Sequence, residues 1–359
     1  MQPTYHIPTL PPAGYSFETV AILKALVKAS SALAELKGLA LLIPNQSILI
    51  DTLALREAKT SSEVENIVTT HDELFRADLF PKSPRSPAAK EVALYRKALK
   101  VGFDRLQDQR RITTRTLTEL FQTLKERSDG LRTTSGTALR NETTGEMVYS
   151  PPQGFSEIVS YMSELEKFVN EEGLCDLHPL IKMALVHHQF ESIHPYPDGN
   201  GRVGRILNIL YLTKTGLLDT PILYLSRYVI RTKETYYRLL QEVRDHGSWE
   251  AWVLYLLTGV AETAQDAMRL VKGIRDQMSA VKHRMRKEVP KLYSQDLLNN
   301  LFRHPYTRIE FVANDLGVVR QTATTYLNKL AAHRFVTKHS YGKNNYYINA
   351  DLVSLLMEE

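Results

Sequence analysis

His194 stands before a turn of small residues, Pro197-Asp198-Gly199-Asn200-Gly201, which runs into an apolar stretch with Arg202 and Arg205 near its start. Those types in that order suit phosphate chemistry. Gly199, Asn200 and Gly201 let backbone N–H groups approach an anion at a helix N-terminus, where the helix dipole adds positive potential. Arg202 and Arg205 are three apart, so they share a helical face and can grip neighbouring phosphates. Asp198 offers an oxygen ligand for a magnesium ion that bridges those phosphates. His194 titrates near neutral pH and suits a general base for an incoming hydroxyl. Together they describe phosphoryl or nucleotidyl transfer. A plain Gly-Asn turn opening a core helix is the alternative. A zinc cluster of His187, His188 and His194 is disfavoured, because adjacent helical residues point to different faces.

The elements that must hold this loop are mostly helical. Residues 17–37 carry Leu23, Leu26, Val27, Leu33 and Leu36 at helical spacing, with Gly38 as the expected stop. After a Pro44-Asn45 turn, residues 57–70 read as helical, and Ser62 with Glu65 matches a capping box that would start a helix there. Further helices are predicted over 88–106, 114–126, 155–171, 177–192, 232–245 and 248–262. Pro179 suits the first turn of its helix. Residues 131–154 read as a two-stranded hairpin with a polar tip at Asn141 to Gly145. Residues 264–290 read as a long basic helix, with seven Lys/Arg against three Asp/Glu.

At 359 residues two or three domains are expected, and 43% hydrophobic with 24% charged residues is ordinary for a globular chain. There is no membrane-spanning apolar run and no signal-peptide pattern. Cys175 is the sole cysteine, which excludes an internal disulfide. The expected location is the cytoplasm. The net charge of +5 permits nucleic-acid contact without requiring it.

HPYPDGNGRVGR closely resembles the signature of Fic proteins, H-x-F-x-D/E-G-N-G-R-x-x-R, departing from it only at Tyr196, where phenylalanine is usual. The flanks VHHQFESI and RILNILYL match as well. Tyr196 is tolerable if its hydroxyl finds a partner. The resemblance implies a mainly α fold: a helical core with a β-hairpin flap. It implies transfer of AMP from ATP, with Mg2+, to a Ser, Thr or Tyr hydroxyl of a target protein or of the chain itself, releasing pyrophosphate. His194 would be the base, Asp198 the metal ligand, and Gly199, Asn200 and Gly201 the anion hole, with Arg202 and Arg205 on the phosphates. Gln189 would lie beside the nucleotide. Tyr236 and Tyr237 resemble a tyrosine pair near the adenine, or else simply pack on a helix face. Family members that phosphorylate carry a lysine where this chain has Gly201, so Gly201 favours AMP transfer. Removal of AMP and transfer of another nucleotide stay open.

The segment 61–66 also resembles the Fic inhibitory motif, S/T-x-x-x-E-G/N, with Ser61, Glu65 and Asn66 on its marked positions. Its place before the active-site motif is that of the branch with an N-terminal inhibitory helix. There the glutamate pairs with the second arginine, here Arg205. The hairpin 131–154 would be the flap on which a target strand docks.

Residues 291–359 resemble a winged helix-turn-helix, with helices near 296–302, 308–316 and 320–332 and a strand–turn–strand wing. Arg320, Gln321, Thr322, Thr325 and Lys329, with Lys343 at the wing tip, would face DNA. Eight Lys/Arg against six Asp/Glu is a thin footprint for DNA, and such units also dock proteins. The expected organisation is a helical N-terminal region over 1–110, a catalytic core over 111–262, a basic linker helix over 263–290 and the winged unit over 291–359. A DNA-binding regulator whose Fic domain senses a nucleotide is the alternative function. A homodimer is a further expected assembly, and no membrane partner is expected.

Overall fold

The computed structural model describes residues 6–79, 86–140, 145–341 and 344–358. The N-terminal region holds α1 (Val20–Ala40), α2 (Gln46–Val64), α3 (His71–Leu79) and α4 (Pro87–Gln109). After α5 (Thr114–Lys125) come the short strands β1 (Leu139–Arg140) and β2 (Met147–Tyr149). Then follow α6 (Phe155–Asn170), α7 (Pro179–Ile193), α8 (Asn200–Lys214), α9 (Leu225–Arg231) and α10 (Lys233–His246). A single helix of 40 residues, α11 (Trp249–Glu288), leads to α12 (Gln295–Arg303), β3 (Tyr306–Thr307), α13 (Ile309–Leu316), α14 (Arg320–Ala332), β4 (Thr337–Tyr341), β5 (Asn344–Ile348) and α15 (Ala350–Met357). The fold is mainly helical. No helix among the described residues is long and apolar enough to cross a membrane.

Local chemistry accounts for many helix starts. The side chains of Thr19, Asn45, Thr113 and Ser294 accept from backbone N–H groups of the first turns they precede. Pro87 and Pro179 sit at the starts of α4 and α7, where a missing N–H costs nothing. Helix α11 is the spine, about 60 Å long at helical rise. Along its first half it packs on α1, α7, α9 and α10, and Trp252 pins it to α7 by donating from Nε1 to the Ala184 carbonyl at 2.8 Å. Toward its other end Gly273 lets α15 lie close, since a Cβ there would sit 2.8 Å from Leu355.

Several expectations need correction. Gly38 does not stop α1, which runs on to Ala40, because Ala40 is buried and Lys37 is anchored to the Gly216 carbonyl (2.8 Å) and to Asp219 (2.9 Å). Ser62 and Glu65 do not form a capping box. They lie at the C-terminal end of α2, whose start is at Gln46, and Asn66 at φ 60° turns the chain out of the helix. The ladder between β1 and β2 covers only residues 139–149 and carries a register irregularity, so the predicted hairpin is mostly irregular chain. Residues 141–144 of its tip lie outside the described residues. The helix expected over 248–262 and the basic helix after it are one continuous element, and the expected joint at residue 262 falls inside it. Helices α3, α9 and α15 and strand β3 were not anticipated.

At the C-terminal end, β3, β5 and β4 form an antiparallel sheet in that order beside α12 to α14. This unit is docked on the N-terminal region rather than standing apart. Arg303 meets Asp51 at 2.7 Å, the Tyr306 hydroxyl donates to Asp72 at 2.7 Å, and Tyr306 stacks on Phe75 with ring centroids 4.9 Å apart.

Candidate active site

The loop 194–199 joins the end of α7 to the start of α8. His194 closes α7 in a left-handed conformation (φ 49°), its N–H bonded to the Phe190 carbonyl at 3.0 Å. The loop is braced from within. The Asn200 side chain accepts from the Tyr196 N–H at 2.9 Å and donates to the Tyr196 carbonyl at 2.7 Å. Gly199, at φ 76°, supplies the left-handed turn into α8. Tyr196 is fully buried and stacks on Phe121 with centroids 4.6 Å apart, and its hydroxyl reaches Thr118 at 3.3 Å. That is the partner the tyrosine needs. The bond is long, so Tyr196→Phe should shift stability by no more than about 1 kcal/mol by thermal melting. A loss several times larger would show that the hydroxyl carries the loop.

Outside the loop, Arg132 binds it to the flap. It donates from Nε to the His194 carbonyl at 2.8 Å, its N–H bonds the Pro195 carbonyl at 2.9 Å, and its guanidinium also reaches the Pro152 carbonyl. Tyr149 of β2 donates to the Ser192 carbonyl at 2.8 Å under the Arg244 guanidinium. These contacts seat the base of the flap against the end of α7.

Burial, helped by Arg244 and Arg132, pushes the His194 imidazole down to about 4. This corrects the expectation that His194 titrates near neutral pH. At pH 7 the ring is uncharged and free to accept a proton, but it is a weaker base than an exposed imidazole until a bound anion offsets Arg244 and Arg132.

The charged motif residues each have a partner. Arg202 is buried and pairs with Glu91 of α4. Asp198 is more than half exposed and meets Lys125 at 2.7 Å. Burial works to raise the Asp198 carboxyl, but the Lys125 ammonium and the neighbouring Arg202 hold it below the usual range. Arg205 is only 2% exposed and points all its bonds at α2: Nε to the Ser61 hydroxyl, Nη2 to the Ser61 carbonyl and Nη2 to the Glu65 carboxylate, each at 2.8 Å. Burial opposes both charges of that pair, yet their mutual attraction wins, holding Glu65 below and Arg205 above their ordinary values. The Glu65 carboxylate also lies over the first turn of α8, so close that a Cβ on Gly201 would be 2.5 Å from Oε1. An acidic group therefore sits where the sequence reading places an anion.

Glu57, Ser61 and Glu65 recur every four residues and so form one stripe on α2. Glu57 is buried and accepts from the Tyr95 hydroxyl at 3.0 Å and from the Ser226 hydroxyl. Burial pushes its carboxyl up to about 7. Because the folded state holds this proton more tightly, its contribution to stability is complete below about 4.5 and is lost as pH rises through 7. The stability of the native chain relative to Glu57→Gln should thus fall between those pH values by up to ~3 kcal/mol, read from denaturant unfolding at a series of pH values. A pH-independent difference would contradict this.

Glu191, which the sequence reading passed over, is buried three residues before His194, and its Oε1 is unpaired among the described residues. It packs on Gly204, where a Cβ would approach Oε1 to 2.4 Å, and burial raises its carboxyl to about 7 against the pull of Arg205.

Other predicted residues fall less close together. Gln189 is buried and donates to the Pro8 carbonyl at 3.0 Å, so its amide is engaged with the N-terminal segment. Tyr236 is buried with its hydroxyl 2.8 Å from His187 Nε2. Tyr237 is half-exposed and edge-on to it, and both phenols interact electrostatically with Arg205. Asn66 accepts from Lys233 at 3.1 Å. His188 turns away to the Leu240 carbonyl. On α14, Arg320, Gln321, Thr325 and Lys329 are exposed and Thr322 is half-buried. Arg320 is bridged by Glu310, and Lys343 lies outside the described residues.

Family models match three consecutive segments of the chain. "Fic/DOC family N-terminal" covers residues 23–104, "Fic/DOC family" covers 111–212, and "Protein adenylyltransferase SoFic-like, C-terminal domain" covers 277–352. Among curated relatives, protein adenylyltransferase Fic of Drosophila melanogaster is 37% identical over 65 residues, 18% of this chain and 13% of the fly protein. A probable protein adenylyltransferase of Aquifex aeolicus is 33% identical over 87 residues, 24% of this chain and 26% of that relative. The matched stretches thus span between an eighth and about a quarter of these relatives' length. A Fic family protein from Desulfovibrio desulfuricans superposes with a TM-score of 0.58 at 19% identity, covering 96% of this chain and 98% of that one. Fic-1 of C. elegans gives 0.54 at 18% identity over 69% and 71%. At these identities the likeness is one of fold.

Proposed function

Since the chain belongs to the Fic/DOC family, we propose that it transfers AMP from ATP to a hydroxyl side chain of a protein, and that Glu65 restrains it. One observation supports this reading above the rest. A half-buried, uncharged His194 stands at the mouth of a helix N-terminus whose second arginine, Arg205, is held by the Glu65 carboxylate at the end of α2. In the proposed reaction the acceptor oxygen attacks the α-phosphorus as its proton passes to His194. The bond from that phosphorus to the bridging oxygen breaks, and pyrophosphate leaves. The start of α8 and the arginines stabilise the charge that shifts onto the phosphates.

The donor set suits a magnesium ion carried in with the polyphosphate. Magnesium is commonly held by one or two carboxylates together with substrate phosphates, and Asp198 supplies one partly exposed carboxylate at the loop. Bound there, the ion would neutralise phosphate charge. Lys125 would have to yield its contact with Asp198 on loading.

Restraint follows from competition for one guanidinium. While Glu65 holds Arg205, a phosphate that needs Arg205 meets a carboxylate instead. The exposed Met147 and Val148 of β2 are the proposed place where an extended target segment adds as a strand.

Incubation of the protein with ATP and magnesium, followed by intact-mass measurement of the protein and of candidate targets, tests the reaction. A gain of one AMP is expected, and parallel loading with GTP, CTP and UTP tests the base. A gain of one phosphate, or of another nucleotide in preference, would overturn the AMP assignment.

A further inference from the structure

Away from the loop, the N-terminal region and the C-terminal unit enclose a cavity of about 390 Å³. One wall is the first half of α2, from Ile50 to Leu55. Helix α4 forms another between Ala93 and Phe103, and the end of α12 with the following turn closes the third. Two features of this cavity stand out. Arg96, Lys97, Lys100 and Arg303 lie on its rim with one lining carboxylate, Asp51. Arg303 is paired both with Asp51 and with Asp315, which leaves Lys97 and Lys100 as the rim cations that bear on a ligand. Lys97 and Lys100 are exposed, and no acidic group lies within bridging distance of either among the described residues. Its floor is aromatic, with Phe75, Phe103, Tyr306 and Phe311 contributing rings.

Lys97 and Lys100 are three apart on α4, so their like charges are neighbours on one face, and an anion between them relieves the repulsion. Tyr306 is stacked between Phe75 and Tyr346 and Phe311 lies under Arg308, so the half-buried Phe103 ring and the edges of the others are what an apolar body would meet. The volume is in the range of small-ligand sites, near its lower end. We propose that this cavity binds a small phosphorylated aromatic molecule of mononucleotide size, its phosphate on Lys97 and Lys100 and its ring on the aromatic floor. This site is separate from the loop at His194, and the proposal does not rest on the transfer reaction.

The location gives such a ligand a consequence. The wall from Ile50 to Leu55 and the Glu57–Ser61–Glu65 stripe belong to the same helix. A ligand that bridges α2, α4 and the turn after α12 favours the arrangement in which α2 is seated. It should therefore also slow the opening of the end of α2.

Hydrogen–deuterium exchange on the full chain, with AMP as the probe, separates this site from the loop by location. The expected result is slower exchange in peptides covering 93–103 and 303–311, accompanied by 57–65. In the double variant Lys97→Glu, Lys100→Glu the AMP concentration needed should rise at least about tenfold. Protection confined to 194–205, or none at millimolar AMP, would overturn the proposal. So would unchanged protection in the double variant at an unchanged melting temperature. Protection by inorganic phosphate as strong as that by AMP would refute the aromatic part. Lys97→Gln and Lys100→Gln singly provide the same reading if the charge reversal unfolds the chain.

Discussion

Glu65→Gly should raise AMP incorporation by roughly ten- to a hundredfold. The estimate comes from the bond that is lost. A charge-assisted hydrogen bond is worth about 1.5–3 kcal/mol, and about 1.4 kcal/mol is a factor of ten. The Glu65 backbone follows the last turn of α2 at φ −93°, an ordinary conformation that glycine can also adopt, while its carboxylate lies over the first turn of α8. The same loss leaves the buried Arg205 guanidinium without its carboxylate, so stability should fall by about 1.5–3 kcal/mol, and rates are compared at a temperature where both proteins are folded. Ser61 would still hold Arg205 by two bonds, so the guanidinium stays in place for phosphate. The measurement is incorporation of labelled AMP into the chain and into candidate targets, with melting temperature alongside. Equal incorporation by the two proteins would sink the restraint.

The second large effect is a loss. Replacing His194 in the Glu65→Gly background should lower the transfer rate by about 10²–10⁴, the usual worth of a positioned general base. The choice of substitution matters. His194 is in the left-handed region, where alanine is strained, whereas asparagine adopts it more readily. His194→Asn should thus keep the loop and remove the base. ATP affinity, measured by calorimetry, should remain within a few-fold, because the start of α8 and both arginines are untouched. Loss of binding in parallel with rate would assign His194 to the loop's structure instead. Retention of full rate would remove it from the chemistry.

Much of the site could be read in advance because it is contiguous. Its signals are local: glycines at a tight turn, a helix start, two arginines a turn apart. The partners of those residues are not local. Glu91 and Lys125 come from α4 and α5 and meet Arg202 and Asp198 only after folding. Nothing in their own neighbourhoods marks them. Arg132 is likewise an ordinary arginine in a polar stretch until it threads between three carbonyls. The start of α2 is hidden in the sequence for a different reason. Glu57, Ser61 and Ser62 are polar, and polar residues in that order read as a solvated helix start. In the fold they are buried, because Arg205, Tyr95 and Ser226 satisfy them. Gly38 misled in the same way, with tertiary anchoring of Lys37 outweighing a local stop signal. The long α11 was divided because its composition changes from apolar to basic midway, a change in what it packs against rather than in its backbone.

The three bonds from Arg205 all end on α2, within one chain. An inhibitor supplied by a second molecule would fade on dilution as the two parted. Under the proposed restraint the occupied fraction is set by an intramolecular equilibrium, so it would be the same for a scarce protein as for an abundant one. Specific activity should be flat across protein concentration. On that proposal, adjustment would come from ligands that compete for Arg205 or from changes that reseat α2, and not from how much of the protein is made.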